Sequence, residues 1–200
     1  MTLVKFCGLR TFEDVSAVNR ARPDFAGFIL SGGFARSLAP DTARRLRGQL
    51  EAGIAAVGVF VDEPLEAVLE ASRACALDAV QLHGGEDAAY VRELKRRGVR
   101  TVIKRIAPGA IGEDYAGHPA DYFLIDAGRG SGRTFPWGRA RGFARPFFVA
   151  GGLTAENVAL AVAACGPDGV DASSGVETGA GKDFYKMAAF AANARTGTTS

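Results

Sequence analysis

The sequence predicts an α/β protein folded as one (β/α)₈ barrel, and three observations support this fold class. Eight short apolar runs recur about every 25 residues along the 200-residue chain, and most are continuous, as in parallel strands covered on both faces. Segments with helical periodicity lie between these runs. Polar, glycine-rich junctions follow nearly every run, where such a barrel has its functional loops. We therefore expect residues 1–200 to form a single barrel domain.

The expected elements alternate from the first run to the last. Strands are predicted at residues 3–7, 25–30, 55–61, 79–82, 101–105, 122–126, 147–150 and 169–172. Helices are predicted at residues 12–20, 41–51, 64–75, 87–97, 155–164 and 183–194, with a weaker one at 137–143. Thr11 and Asp14 have the spacing of a capping box at the start of the first helix. Gly98 follows the fourth helix, where glycine often ends a helix.

The connection after the fifth strand departs from this alternation. Residues 107–120 contain two prolines and three glycines, so we expect a short or missing helix there. An open, doubly wound sheet is the alternative fold, because strand count alone does not exclude it. The barrel is favoured because the polar junctions fall at the predicted C-terminal ends of the strands.

Composition and charge exclude several classes of function. The chain has 24 Lys and Arg against 22 Asp and Glu, without a long basic stretch, so we expect no nucleic-acid partner. It has no run of about 18 apolar residues, so we expect no membrane span. Three cysteines are too few for a disulfide framework and lack zinc-binding spacing. We expect a reduced, cytoplasmic protein, monomeric rather than homodimeric.

Two glycine-rich junctions near the C-terminus predict a phosphate site. Gly151 and Gly152 follow the seventh strand, and Ser173, Ser174 and Gly175 follow the eighth. In barrels of this class these two loops offer backbone N–H groups to a phosphate. Either junction alone would be an ordinary tight turn, but the two together favour phosphate binding.

Cys7 ends the first strand, at the mouth of the predicted barrel. A thiol there could titrate near neutrality if a cation favours the thiolate. Lys5 lies two residues earlier on the same face of the strand. A lysine inside a barrel is either ion-paired or forms a Schiff base with a substrate. Asp171 on the eighth strand, next to the first in a closed barrel, is the expected ion-pair partner.

Other polar residues end the sixth and fourth strands. Asp126 follows an apolar run, and burial there would raise its pKa toward the range of a general acid. Gln81 and His83 share one face of the fourth strand. The glycine cluster at residues 128–132 lacks the GxGxxG spacing of a dinucleotide site, so we interpret it as a mobile loop. His118, in a Gly-His-Pro loop, is expected to face solvent.

Seven collinear blocks of sequence, between residues 4 and 183, together resemble one known family. They lie at residues 4–10, 27–40, 57–61, 80–86, 126–137, 150–158 and 171–183. They include Val4-Lys5-Phe6-Cys7-Gly8-Leu9-Arg10, Val80-Gln81-Leu82-His83-Gly84 and Ser173-Ser174-Gly175-Val176-Glu177. In these blocks the chain is similar to the phosphoribosylanthranilate isomerases of tryptophan biosynthesis.

The resemblance implies a (β/α)₈ TIM barrel without cofactor or metal, acting on a small-molecule sugar phosphate. The implied reaction is the Amadori rearrangement of N-(5-phosphoribosyl)anthranilate to 1-(2-carboxyphenylamino)-1-deoxyribulose 5-phosphate. By resemblance Cys7 is the general base and Asp126 the general acid. Arg36, in the loop after the second strand, is expected to hold the anthranilate end. Gln81 and His83 are expected to contact the substrate from strand four.

Two other functions stay open at this point: an aldolase using a Lys5 Schiff base, and a non-catalytic sugar-phosphate-binding protein. The chain departs from the family pattern at Pro136, where the family often has aspartate, and in the small residues ahead of Arg36. Both departures concern the anthranilate pocket rather than the reaction. With Cys7 as base and Asp126 as acid, activity should fall at low pH because of the thiol and at high pH because of the carboxyl.

Overall fold

Eight parallel strands close into a barrel in this computed structural model, which describes residues 1–128, 134–179 and 181–196. Each strand hydrogen-bonds to the next, and β8 pairs with β1. The strands are β1 (Leu3–Cys7), β2 (Phe25–Ile29), β3 (Ala55–Phe60), β4 (Ala79–Leu82), β5 (Thr101–Ile106), β6 (Tyr122–Asp126), β7 (Phe147–Ala150) and β8 (Gly169–Ala172). The predicted barrel is confirmed and the open sheet is wrong. Of the glycine cluster, residues 129–132 lie outside the described residues.

Helices lie between most of the strands in the described part of the chain. They are α1 (Phe12–Ala21), α2 (Pro40–Arg47), α3 (Leu65–Ala74), α4 (Ala88–Arg96), α5 (Val158–Cys165) and α6 (Phe184–Thr196). Three-residue and four-residue 3₁₀ segments follow β5 and β6, at Pro108–Ala110 and Trp137–Ala140. The expected short helix after β5 is therefore present, and the weaker helix at 137–143 is shorter than predicted. Within the described ranges, no helix combines the length and apolarity needed to cross a bilayer.

Two helices are shorter than predicted because side chains bind the backbone at their ends. The side chain of Asn19 donates to Gln49 O at 2.7 Å and accepts from Glu51 N at 3.0 Å. These bonds satisfy backbone groups beyond α2, which ends at Arg47 rather than continuing to residue 51. In the loop before α5, Asn157 accepts from the backbone N–H of Thr154 at 2.9 Å, and the helix begins at residue 158 instead of 155. Such local bonds compete with helix formation.

A short hairpin follows β8 and is tied to the start of α1. It consists of β9 (Glu177–Thr178) and the antiparallel β10 (Gly181–Lys182). The predicted capping box is present, since Thr11 Oγ1 accepts from Asp14 N and the Asp14 carboxylate accepts from Thr11 N. Asp14 Oδ1 also accepts from Lys182 N at 2.7 Å. The cap of α1 therefore fixes the hairpin beside the barrel mouth.

The barrel interior is apolar toward the N-terminal ends of the strands and polar toward the C-terminal ends. Phe148, which is fully buried, occupies the apolar part beside Gly169. A Cβ on Gly169 would lie 2.2 Å from the Phe148 ring, so only glycine fits there. Near the other end, a Cβ on Gly27 would meet Cys7 Sγ at 2.8 Å. The missing side chain at Gly27 thus leaves space for functional groups on β1.

His118 does not face solvent as expected. Its ring is partly buried against Phe123 and Tyr115, with ring centroids 5.2 and 6.2 Å apart. Its Nδ1 atom accepts from Ala120 N at 3.2 Å. Burial lowers the pKa of His118, with neighbouring cations acting in the same direction. The residue therefore serves the loop between β5 and β6 as a neutral packing group.

Candidate active site

The C-terminal ends of the strands surround a cavity of about 330 Å³. All ten residues predicted for the site line it: Cys7, Arg36, Gln81, His83, Asp126, Gly151, Gly152, Ser173, Ser174 and Gly175. Its apolar lining comes from Ile29, Phe34, Val59, Val61, Ala150 and Leu153, among others. The cavity therefore combines titratable groups, glycine-rich loops and an apolar wall, as small-molecule sites do.

Cys7 lies at the end of β1, opposite Gly27 of β2, and only 7% of it is exposed. Burial raises the pKa of the Cys7 thiol, although the charges of Lys5 and Lys182 act in the opposite direction. The thiol is therefore protonated in the free protein at neutral pH. The expectation of a titration near neutrality is wrong, because desolvation outweighs the neighbouring cations.

Lys5 is fully buried inside the barrel, and its ammonium donates to Asp171 Oδ1 at 3.1 Å. Burial acts to lower the pKa of Lys5, but the charges of Asp171 and Cys7, with their hydrogen bonds, raise it overall. The expected ion pair is present. A protonated lysine is not a nucleophile, which disfavours the Schiff-base alternative.

Asp126, the last residue of β6, contacts His83, which directly follows β4. Gln81 Nε2 lies 3.2 Å from His83 Nδ1 and donates to it, which leaves Nε2 as the ring nitrogen that carries a proton. That nitrogen is 3.2 Å from Asp126 Oδ2. The other carboxylate oxygen of Asp126 accepts from Gly128 N at 3.0 Å. His83 is thus oriented by Gln81 and binds the carboxylate.

The pKa of Asp126 is shifted in the direction opposite to the prediction. Burial acts to raise this pKa, but the hydrogen bonds from His83 and Gly128 N, with the electrostatic effects of His83 and Arg105, bring it below its usual value. Sequence reasoning anticipated the burial but not the donors. In the free protein Asp126 is therefore a carboxylate with both oxygens bound.

Arg36 reaches over the end of β1 and is held by an acidic partner. Its Nε and Nη2 atoms donate to the two carboxylate oxygens of Glu177 at 2.9 and 2.6 Å. Lys182 donates to Glu177 Oε1 at 2.8 Å and to Ser173 O at 3.0 Å. Gly8, with φ of +80°, makes room for Arg36, because a Cβ there would lie 2.5 Å from Arg36 Cδ. This bidentate pair fixes the guanidinium at the cavity edge.

The two glycine-rich loops after β7 and β8 contact each other directly. Gly151 and Gly152 have φ of +90° and +64°, in the left-handed region that glycine adopts without strain. A Cβ on Gly175 would lie 1.9 Å from Leu153 O, so the loops pack backbone to backbone. Ser173 Oγ donates to Cys7 O at 2.9 Å, which joins the second loop to β1.

Glu177 and Lys182 are functional candidates that sequence reasoning did not single out. They lie on two-residue strands, too short for a periodic pattern, although both fall within the last family-like block. The signal that could have indicated them is a pair of opposite charges flanking a glycine turn after β8. Among the described residues, no group of three His, Cys, Asp or Glu is placed to hold a metal ion.

Comparison with known proteins connects this geometry to one family. The sequence model of N-(5′-phosphoribosyl)anthranilate isomerase matches residues 4–193. The chain belongs to the phosphoribosylanthranilate isomerase family. A relative in this family, the isomerase of Endomicrobium trichonymphae, is 42% identical over 193 residues, covering 94% of this chain and 95% of its own.

Solved structures of the family have the same barrel. One is a phosphoribosylanthranilate isomerase in complex with reduced 1-(o-carboxyphenylamino)-1-deoxyribulose 5-phosphate; it has 32% identity and a TM-score of 0.85, covering 98% of this chain and all of its own. Another contains monomers generated from the dimeric isomerase of Thermotoga maritima, with 32% identity, a TM-score of 0.87 and the same coverage. The phosphoribosylanthranilate isomerase fold therefore extends over nearly the whole chain.

Proposed function

We propose that this chain catalyses the Amadori rearrangement of N-(5-phosphoribosyl)anthranilate in tryptophan biosynthesis. The observation that supports this most strongly is the position of Cys7 and Asp126, which line one cavity beside two glycine-rich loops. Aldose–ketose isomerisation needs a base, an acid and an anchor for the phosphate, and these groups supply all three. The isomerisation requires no external oxidant or reductant and no group transferred to or from a second substrate.

The proposed binding mode uses the two ends of the substrate. The phosphate binds the backbone N–H groups of the Gly151–Gly152 and Ser173–Gly175 loops, which approach closely because glycine adds no side chain. The anthranilate carboxylate binds Arg36, and its ring lies against the apolar wall that includes Phe34 and Ile29. Gln81 and His83 contact the substrate between these ends.

The proposed reaction consists of proton transfers and the opening of the sugar ring. Asp126, in its acid form, protonates the ring oxygen of the sugar, so the bond from C1 to that oxygen breaks and a protonated Schiff base forms at C1. The Cys7 thiolate then removes the proton on C2, and the resulting enolamine tautomerises to the ketone. The carboxylate and the thiol exchange protons with solvent before the next turnover.

In the free enzyme only a minor fraction of molecules has the protonation state that catalysis needs, with Cys7 as thiolate and Asp126 as acid. Burial raises the pKa of Cys7, and the donors around Asp126 lower the pKa of that carboxyl. Together the two groups hold one proton at neutral pH, which lies mostly on the sulfur. Catalysis needs that proton on Asp126. Contact of the substrate with His83, which weakens the hydrogen bond to Asp126, would favour the transfer.

We predict that kcat/KM is flat across neutrality. The singly protonated pair dominates between the two pKa values, so the low-pH limb reports Asp126, below the ordinary aspartate value of ~3.9, and the high-pH limb reports Cys7, above the ordinary cysteine value of ~8.5. From sequence, the low-pH limb was assigned to Cys7 and the high-pH limb to Asp126, so the two assignments are exchanged. A pH–rate profile of the purified enzyme measures both limbs. A narrow bell centred near pH 7 would contradict this assignment.

We predict that Gly152→Val mainly weakens binding. Valine is strained at φ of +64° and its side chain keeps phosphate from the backbone, so KM should rise about 10-fold or more, as for loss of hydrogen bonds to a charged group. Gly166→Val is the matched control, because Gly166 has φ of +60° and open space around its Cβ position. Steady-state kinetics and inhibition by inorganic phosphate compare the two. Equal KM values in both variants would reject the phosphate assignment.

Complementation in cells tests the proposed function as a whole. A bacterium lacking its own phosphoribosylanthranilate isomerase should grow without tryptophan when it expresses this chain. Cys75→Ser should restore growth equally, because Cys75 is a buried thiol outside the cavity. Failure of the folded, wild-type chain to restore growth would reject the proposal.

A second experiment tests the aldolase alternative. Borohydride treatment in the presence of substrate should leave no sugar attached to Lys5, whereas a sugar attached to Lys5 would favour the aldolase.

We also propose that the enzyme is a monomeric single domain of the cytoplasm. The three cysteines are free and buried, which suits a reducing compartment. Large exposed apolar side chains, such as Leu160 and Tyr185, come from separate helices. Sedimentation at assay concentration should give a mass near 20.9 kDa, and a stable dimer would contradict this part.

A further inference from the structure

Lys5 is a fully buried charge next to the cavity, and the proton transfers described above do not use it. The apolar layer below it shows that the barrel interior needs no ion pair to be filled. Placing an ammonium there costs solvation, and the ion pair with Asp171 offsets that cost. The buried charge of Lys5 therefore indicates a function that an apolar side chain at this position would not perform.

The geometry joins Lys5 to the sulfur of Cys7. The two residues lie two apart on β1 and point to the same side of the strand. Both reach the space left by Gly27, where a Cβ would lie 2.8 Å from Cys7 Sγ and 3.2 Å from Lys5 Nζ. The ammonium is therefore the cation inside the barrel that borders the thiol, with Asp171 on its other side.

The charges around Cys7 leave one cation in surplus. Those that face it come from four elements: Lys5 on β1, Asp171 on β8, Lys182 on β10 and Arg36 in the loop after β2. Arg36 and Lys182 both bind Glu177, which therefore offsets one of them. Three cations and two carboxylates give a net charge of one positive, and a thiolate at Cys7 would make the cluster neutral.

We propose that Lys5 is the positioning residue of the Cys7 thiolate: its ammonium, oriented by Asp171, stabilises the negative sulfur when the proton leaves. The catalytic consequence rests on the proposed function, in which Cys7 is the base. Lys5 does not line the cavity, so this role acts through Cys7 and assigns Lys5 no proton transfer of its own. Asp171 sets the strength of the effect, because its charge opposes that of the thiolate.

Alkylation of Cys7 by iodoacetamide tests this proposal, since only the thiolate reacts. The rate is followed against pH by mass spectrometry of the peptide that contains Cys7. Lys5→Met removes the cation and should move the midpoint upward by about one pH unit or more, a tenfold loss of rate at a fixed lower pH. Asp171→Asn removes the opposing anion and should move the midpoint downward. Peptides with Cys75 and Cys165 are internal controls.

The opposite signs separate electrostatic positioning from a structural role. A merely structural ion pair would leave both midpoints unchanged or move them the same way, and either result overturns the proposal. If Lys5→Met does not fold, the direction found with Asp171→Asn decides alone: a fall in midpoint supports the proposal, and any other result rejects it. Alkylation reads the thiol whether or not it is catalytic, so turnover in Cys7→Ser tests the base role separately.

Discussion

Cys7→Ser should reduce kcat by about 100-fold to 10,000-fold, the usual contribution of a general base. A hydroxyl does not ionise in the accessible pH range, so the group that removes the C2 proton is lost. Steady-state turnover measured by the change in anthranilate fluorescence gives the value. Binding of the reduced product analogue should stay near that of wild type, because Ser and Cys have similar shapes.

A matched control distinguishes the effect of losing the thiol in the cavity from the effect of replacing any buried cysteine by serine. Cys165→Ser makes the same change in a buried residue of α5, whose sulfur donates to Ala161 O at 3.2 Å, a bond that serine can also make. This variant should keep wild-type turnover. If Cys7→Ser retained more than about a tenth of kcat, a loss of only ~1.4 kcal/mol, Cys7 would not be the base.

Asp126→Asn should lose a similar share of turnover while it still binds the reduced product analogue. The N–H protons of an amide are not acidic enough to be transferred to the ring oxygen, so the step that opens the sugar fails. Asparagine accepts with only one of its two polar groups, so it keeps only one of the bonds from His83 and Gly128 N. Loss of one such bond costs about 1 kcal/mol of stability. Isothermal titration with the analogue measures the affinity.

Asp121→Asn is the control for this second variant. Asp121 precedes β6 at the opposite end of the strand and binds Lys95 at 2.7 Å, away from the cavity. The Asp121→Asn variant should have a lower free energy of unfolding than the wild type but the same turnover. Lost analogue affinity in Asp126→Asn would instead make Asp126 a binding residue and leave the proton donor to be found elsewhere.

Most strand positions could be predicted from sequence because the local pattern of apolar residues indicates where each strand begins and ends. Five strands, among them β1 and β6, have both predicted ends, since a continuous apolar run stops at a polar or glycine junction. The ends of α2 and α5 did not follow, because Asn19 and Asn157 bind backbone groups outside the helices. The bond from Asn19 joins residues 30 apart in sequence, which no local pattern contains.

Ten residues predicted from sequence line the candidate site, whereas Glu177, Lys182 and the electrostatics of the site were not predicted. Barrel topology alone brings the strand ends together, so residues as distant as Cys7 and Asp126 line one cavity. The partners of each charge depend on contacts across the closed barrel. Glu177 lies 141 positions from Arg36, and His83 reaches Asp126 from a strand that does not neighbour β6. The direction of the Asp126 pKa shift follows from that second contact.

The most direct test is to identify the product formed by the purified chain. Freshly made N-(5-phosphoribosyl)anthranilate is added, and the mixture is followed by proton NMR and mass spectrometry. We expect stoichiometric conversion to 1-(2-carboxyphenylamino)-1-deoxyribulose 5-phosphate, with no change in mass and the C1 methylene of a ketose. Release of anthranilate at the rate of buffer alone, with no ketose formed, would contradict the proposed isomerase function.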